Sequence, residues 1–213
     1  MTLKPSKDRV ALLVIDMQNA YCHPAGSFAK LGIDISPLRA VIPVCRELID
    51  AAHSAKVPVI YVRYVLRPDY KNGGILVREI WPALATVNYV AAGSWDAEIV
   101  DELTPEPEDF VIEKSRYSAF YSTGLEPILR SLAIDTLVIC GVTTHYCVES
   151  TARDASQRDY KVFIVRDATA EVNSAWHEMT LTSFSHGWGW VVSREEVTSS
   201  WEGSFSRDAQ EPC

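Results

Sequence analysis

Three side chains that can take part in covalent chemistry stand at or just beyond the ends of apolar segments in this sequence. Asp16 closes the segment VALLVID, Lys114 closes DFVIEK, and Cys147 follows DTLVICG after a short loop. A carboxylate can accept a proton, an ammonium group can stabilise an anion, and a thiolate can attack a carbonyl carbon. Together they supply a base, a cation and a nucleophile.

Short apolar segments alternate with helix-like segments along the chain. The apolar residues are continuous rather than alternating, which is typical of strands buried on both faces of a parallel sheet. The segments 43–56 and 124–135 are amphipathic at helical spacing. The alternation predicts an α/β fold with a mostly parallel sheet of about six strands and helices on both faces. The predicted strands are residues 10–16, 57–63, 109–114, 135–141, 161–167 and 188–193.

The carboxyl ends of parallel strands meet at one edge of a sheet, where open α/β folds bind their ligands. We therefore expect Asp16, Lys114 and Cys147 to converge there. Taken singly, each has an ordinary explanation: a turn residue, a solvated lysine, and a small packed side chain. The combination of the three favours a catalytic site.

The helix that follows Cys147 favours a chemical role for this thiol over a packing role. Its apolar stripe begins after the cysteine, at Val148. A thiol in the first turn lies beside the positive end of the helix, which lowers its pKa, and Lys114 is expected to lower it further while Asp16 takes the proton. Cys140 ends a buried strand and is expected to pack there as a small hydrophobe.

Composition excludes several other classes of function. The 213 residues carry a net charge of −8 and no Lys/Arg-rich run, which argues against a nucleic acid or an anionic membrane as partner. We see neither a stretch long and apolar enough to span a bilayer nor a signal-peptide pattern. Five cysteines are too few and too sparse for a disulfide framework, so a reducing, cytoplasmic location is expected.

One segment breaks the strand–helix rhythm. Residues 66–107 contain Gly73–Gly74 and several prolines, and we expect a long excursion that caps a pocket. Its tryptophans Trp81 and Trp95 are expected in the core or an interface. We expect the whole chain, residues 1–213, to form one domain, with 202–213 as a flexible tail.

The chain also resembles a known family, the isochorismatase-like cysteine hydrolases. The similarity implies a Rossmann-like three-layer sandwich with a catalytic triad of Asp16, Lys114 and Cys147. It further implies a cis bond between Val142 and Thr143, and an oxyanion hole formed by the backbone amides of Thr143 and Cys147. It is carried by VIDMQNAY (14–21), GSWDAEIVDELTPEP (93–107), residues 111–155 and VRDATAE (165–171).

Within this family the resemblance favours an amidohydrolase that cleaves a C–N bond of a small amide or ureido compound through a thioester. Isochorismatase-type members cleave a vinyl ether without the cysteine. Nicotinamidase-like members carry an Asp and two histidines that bind a metal near the pocket, whereas the only histidine close to Asp16 in this chain is His23. No metal and no cofactor are expected. The similarity is greatest to ureidoacrylate amidohydrolases, from which the chain departs at His145–Tyr146. Relatives are commonly dimers or tetramers, so a homo-oligomer is expected.

Five residues near the triad are candidates for substrate contact. Arg116 and Tyr117 follow the lysine and are suited to a carboxylate or ureido group, although Arg116 has a surface carboxylate as an alternative partner. Asn19 and Tyr21 lie just beyond the aspartate, and His145 lies close to the cysteine.

Two further classes of function stay open. A thiol-redox protein would consume peroxide and would not need Lys114, and the chain has no C-x-x-C motif. A non-catalytic binding member of the fold would not need the complete triad.

Overall fold

A single sheet of parallel strands dominates the structure, a computed structural model in which residues 5–202 are described. Apart from residue 202, the predicted tail 202–213 lies outside the described residues. All six predicted strands are present. They are β1 (Val10–Ile15), β2 (Val59–Tyr64), β3 (Phe110–Lys114), β4 (Thr136–Val142), β5 (Lys161–Ala170) and β6 (Trp190–Val192).

The strand order is β3-β2-β1-β4-β5-β6, and every pair is parallel. The strands β2 and β3 therefore follow β1 toward one edge of the sheet, and β5 and β6 follow β4 toward the other. The point where the order reverses, between β1 and β4, leaves a crevice at the carboxyl ends of the strands, where ligands bind in such sheets. The predicted α/β class is confirmed.

Helices cover both faces of the sheet. The steps β1 to β2 and β4 to β5 run in opposite directions, so right-handed crossovers place the intervening helices on opposite faces. No helix within residues 5–202 is long and apolar enough to cross a membrane. The helices are α1 (Asn19–Cys22), α2 (Ser27–Lys30), α3 (Ser36–Ala40), α4 (Ile42–Ala55), α5 (Leu125–Ser131), α6 (Glu149–Ser156), α7 (Ser174–Gly187) and α8 (Arg194–Glu202).

Burial of the strands depends on their place in the sheet. The central strands β1 and β4 are buried at every position, as their continuous apolar sequences predict. The edge strand β3 alternates instead: Val111 is 44% exposed, whereas Ile112 and Lys114 are buried. Burial on both faces is thus a wrong prediction for β3, because the face that carries Val111 and Glu113 is open to solvent.

The excursion between β2 and β3 is irregular but firmly attached. The carboxylate of Asp96 accepts hydrogen bonds from the amide of Ser27 at 2.9 Å and the amide of Val90 at 2.9 Å. The side-chain amide of Gln18, just beyond β1, donates to the carbonyl of Ala97 at 2.7 Å. These bonds hold the excursion against the carboxyl end of the sheet. Its helical turns are Leu76–Ile80, Pro82–Val87, Trp95–Ala97 and Asp101–Leu103.

Gly141 in β4 permits the close approach of β1 and β4 beside the crevice. Its φ is +109°, in the region that favours glycine, and a Cβ at this position would lie 2.1 Å from the carbonyl oxygen of Ile15. A side chain at position 141 would force apart the two strands that precede Asp16 and Cys147.

We expect Gly141→Ala to lower the free energy of unfolding by about 2–4 kcal/mol, because it combines a strained φ with a backbone clash. Urea unfolding followed by circular dichroism measures the change. Gly187→Ala, at a glycine with open space around its Cβ position, is the control and should change stability by less than about 1 kcal/mol. Equal effects of the two substitutions would contradict this account.

Candidate active site

The structure brings together the three side chains that the sequence predicts to converge. Asp16 directly follows β1 with a φ of 51°, Lys114 is the last residue of β3, and Cys147 lies in the helical turn Thr144–Val148 between β4 and α6. The ammonium group of Lys114 donates to Oδ2 of Asp16 at 2.7 Å and to Sγ of Cys147 at 3.1 Å. It also lies 4.3 Å from the centre of the Tyr64 ring, where a cation–π contact adds to its stabilisation.

Both charged groups are removed from water. The side chains of Lys114 and Asp16 are 0% and 1% exposed. Burial raises the pKa of Asp16, and the neighbouring Lys114 charge only partly offsets it. Burial would lower the pKa of Lys114, but the charges of Asp16 and Cys147 outweigh it, so this pKa is raised. We therefore treat Lys114 as the cation of the site.

The pKa of the Cys147 thiol is raised, whereas the sequence predicts a lowered one. Burial raises its pKa well above the ordinary value, the negative charge of Asp16 raises it further, and Lys114 opposes this rise without overcoming it. The expectation of a lowered pKa is wrong because the helix start lies inside the protein. A protonated thiol needs a base, and Oδ1 of Asp16 is buried without a hydrogen-bond partner among the described residues.

The segment from Val142 to Cys147 has a distinctive backbone. The Val142–Thr143 peptide bond is cis. The carbonyl of Thr143 accepts hydrogen bonds from the amides of Tyr146 and Val148, both at 3.2 Å. Thr143 therefore joins the end of β4 to the helical turn that carries Cys147.

Glu171 is a buried acid beside this segment that sequence reasoning missed. It directly follows β5, and its carboxylate accepts hydrogen bonds from the amide of His145 at 3.0 Å and the amide of Val172 at 2.9 Å. Burial raises its pKa, although these amides oppose the shift. The signal was available, since Glu171 stands at the carboxyl end of a strand as Asp16 does.

A cavity of about 320 Å³ opens above the triad. Its wall combines residues of the excursion with residues that follow β1, β3, β4 and β5. Among residues 5–202, no cluster of His, Cys, Asp or Glu side chains is arranged to hold a metal ion. The lining residues are Asp16, Tyr21, Phe28, Ile33, Leu76, Ile80, Trp81, Leu84, Tyr89, Tyr117, Thr143, Tyr146, Cys147, Glu171, Val172 and Trp176.

Two of the five candidate substrate contacts line this cavity. They are Tyr21 and Tyr117. The hydroxyl of Tyr21 lies 2.6 Å from that of Tyr89. Burial raises the pKa of Tyr117 to about 12. Trp81 packs against the core, as expected, and also lines the cavity, because the excursion folds inward over Asp16, Lys114 and Cys147.

The other three candidates do not line the cavity. The side-chain amide of Asn19 donates to the carbonyl of Trp95 at 2.9 Å. Arg116 donates to the carbonyl of Asn72 at 2.7 Å and, among the described residues, pairs with no surface carboxylate. The ring of His145 is 2.9 Å from the hydroxyl of Thr180 on α7. In this structure all three side chains hold neighbouring segments in place.

Comparison with known proteins agrees with this geometry. The family model described as the isochorismatase domain matches residues 10–196. The chain belongs to the isochorismatase family. It is 38% identical over 192 residues to the ureidoacrylate amidohydrolase RutB of Methylobacterium radiotolerans, which covers 84% of this chain and 74% of that protein.

Solved structures of the family superpose over nearly the whole chain. A cysteine hydrolase from Pseudomonas syringae pv. phaseolicola aligns with a TM-score of 0.86 and 30% identity, covering 94% of this chain and 96% of the other. The N-carbamoylsarcosine amidase of Thermoplasma acidophilum aligns with a TM-score of 0.73 and 32% identity, covering 88% of this chain and 98% of the other.

The charge of Asp16 raises the pKa of Cys147, so removing that charge should lower it. We expect Asp16→Asn to shift the pH midpoint of Cys147 alkylation by iodoacetamide downward, measured by mass spectrometry of the peptide that contains Cys147. The exposed Asp34→Asn should leave the midpoint unchanged. An upward shift in Asp16→Asn would show that Asp16 does not act on the thiol through its charge.

Proposed function

We propose that this protein is a cysteine-dependent amidohydrolase that cleaves a C–N bond of a small amide or ureido compound through a thioester. The observation that carries the proposal is the contact of the buried Lys114 ammonium with both Asp16 and Cys147 at the floor of a cavity. The names of the family relatives, ureidoacrylate amidohydrolase and N-carbamoylsarcosine amidase, support the same reaction class.

The first half-reaction forms the thioester. Asp16 accepts the proton of the Cys147 thiol, and Lys114 stabilises the resulting thiolate. Sγ attacks the carbonyl carbon, and the amides of Thr143 and Cys147 donate to the oxyanion that forms. The C–N bond then breaks as Asp16 returns the proton to the leaving nitrogen. The products of this step are a free amine or ammonia and an acyl group on Sγ.

The second half-reaction releases the acid. Asp16 accepts a proton from water, and the hydroxide attacks the thioester carbonyl in the same oxyanion hole. The carbon–sulfur bond breaks, and the thiolate recovers its proton from Asp16. A raised pKa suits Asp16 to this work, since it must accept and return a proton in each half-reaction.

Glu171 acts in this proposal as a positioning residue. Its hydrogen bond to the amide of His145 ties the segment that carries Thr143 and Cys147 to the end of β5. Fixed donors stabilise an oxyanion more than mobile ones, because no reorganisation is needed as charge develops.

We also propose that the protein works as a homo-oligomer in the cytoplasm. Support for the location comes from the described cysteines Cys22, Cys45, Cys140 and Cys147, which are all free thiols.

Cys147→Ala and Asp16→Asn should each lower kcat/KM for amide hydrolysis at least about 1,000-fold, since each removes an essential group of the reaction. Ammonia release from a panel of small amides and ureas measures the loss. Cys140→Ser, at a buried thiol outside the cavity, should retain most of the activity. Equal losses at the two cysteines would contradict the roles assigned here.

Glu171→Gln should lower kcat about 10- to 100-fold and leave KM within about threefold, because it disturbs the oxyanion donors and not ground-state binding. The exposed Glu178, whose carboxylate pairs with Arg166, provides the matched control, and Glu178→Gln should behave as wild type. A change in KM alone would make Glu171 a binding residue instead.

A further inference from the structure

The cavity wall is mostly apolar. Seven of the sixteen lining residues are aromatic, and five more are aliphatic. The rings contact one another around the space: Tyr117 and Tyr146 have centroids 5.4 Å apart, and Tyr146 and Trp176 have centroids 6.5 Å apart. A substrate that fills this space must exchange water for ring faces and alkyl groups.

Cationic partners for a substrate are missing from the same wall. None of the described lining residues is a lysine or an arginine. Lys114 lies beneath the cavity, where its contacts are with Asp16 and Cys147. The guanidinium group of Arg116 donates instead to the carbonyl of Asn72.

The charged groups that do face the cavity are acidic. Asp16 and Glu171 line it at the end where the reaction takes place. A substrate carboxylate would lose its hydration, meet no lysine or arginine on the cavity wall and lie near one or both of these acids. Each of these effects disfavours an anion, and none disfavours an uncharged molecule.

We propose that the substrate is an amide or urea whose body is uncharged and apolar or aromatic, and that carboxylate-bearing amides are rejected. This inference rests on the proposed function and narrows its substrate class. The proposed substrate is uncharged, whereas ureidoacrylate, the substrate in the name of the ureidoacrylate amidohydrolase relatives, is an anion. The hydroxyls of Tyr21 and Tyr89 are hydrogen-bonded to each other. A substrate beside these two residues therefore contacts mainly the faces of their rings.

Matched pairs of substrates test the proposal with the wild-type protein. N-carbamoyl-β-alanine and isopentylurea have non-hydrogen skeletons of the same size and branching, as do terephthalamate and p-isopropylbenzamide, but only the first of each pair carries a carboxylate. We expect kcat/KM to be at least roughly 100-fold higher for the uncharged member of each pair. Cys147→Ala is run alongside to establish that the ammonia released comes from this site.

A gain-of-function variant supplies a second test. Ile80 lines the cavity and is 68% exposed, whereas the nearby Ile75 is 56% exposed and lies outside the lining. Ile80→Arg should raise kcat/KM for N-carbamoyl-β-alanine about tenfold by providing the missing cation. Ile75→Arg adds the same charge outside the cavity and should leave this value unchanged.

The outcomes separate the two proposals. Preference for the carboxylate member, lost in Cys147→Ala, would overturn the inference on substrate class while the amidohydrolase function stood. Equal rates within each pair would overturn it as well. Absence of cysteine-dependent ammonia release from every compound would overturn the proposed function, and the inference with it.

Discussion

The ion pair between Lys114 and Asp16 is the interaction on which the site depends. Its two members end strands that are not neighbours, since β2 lies between β1 and β3. Burying two charges is costly unless they meet in good geometry, and losing one partner of such a pair typically costs on the order of 3–5 kcal/mol. The sheet register must therefore hold both residues at the same level, with the Tyr64 ring at the end of β2 beneath the ammonium group.

The ion pair between Lys114 and Asp16 is also shielded from water. The excursion after β2 folds over the strand ends, and Asp96 and Gln18 attach it there through buried hydrogen bonds. The same closure desolvates Cys147, which raises the pKa of its thiol. In the proposed mechanism this arrangement suits a reaction in which one carboxylate, that of Asp16, accepts and returns the proton in both steps.

The strands and the convergence of Asp16, Lys114 and Cys147 could be predicted from the sequence because both follow from local pattern. Continuous apolar segments identify buried strands, and a parallel sheet brings the residues at their ends together wherever they lie in the chain. The contacts of Arg116 and His145 could not be predicted, since they depend on how the irregular excursion and α7 pack. The thiol pKa was predicted in the wrong direction because desolvation, which no spacing reveals, outweighs the helix end and Lys114.

The central claim is that Cys147 carries the acyl group during turnover. The most direct test mixes the protein with a turned-over amide, quenches in acid within milliseconds, and analyses the peptide that contains Cys147 by mass spectrometry. The account predicts a mass increase equal to the acyl part of the substrate, located on Cys147 and removed by hydroxylamine as a thioester should be. Release of ammonia without any acyl adduct on Cys147, under conditions where chemistry outpaces deacylation, would contradict it.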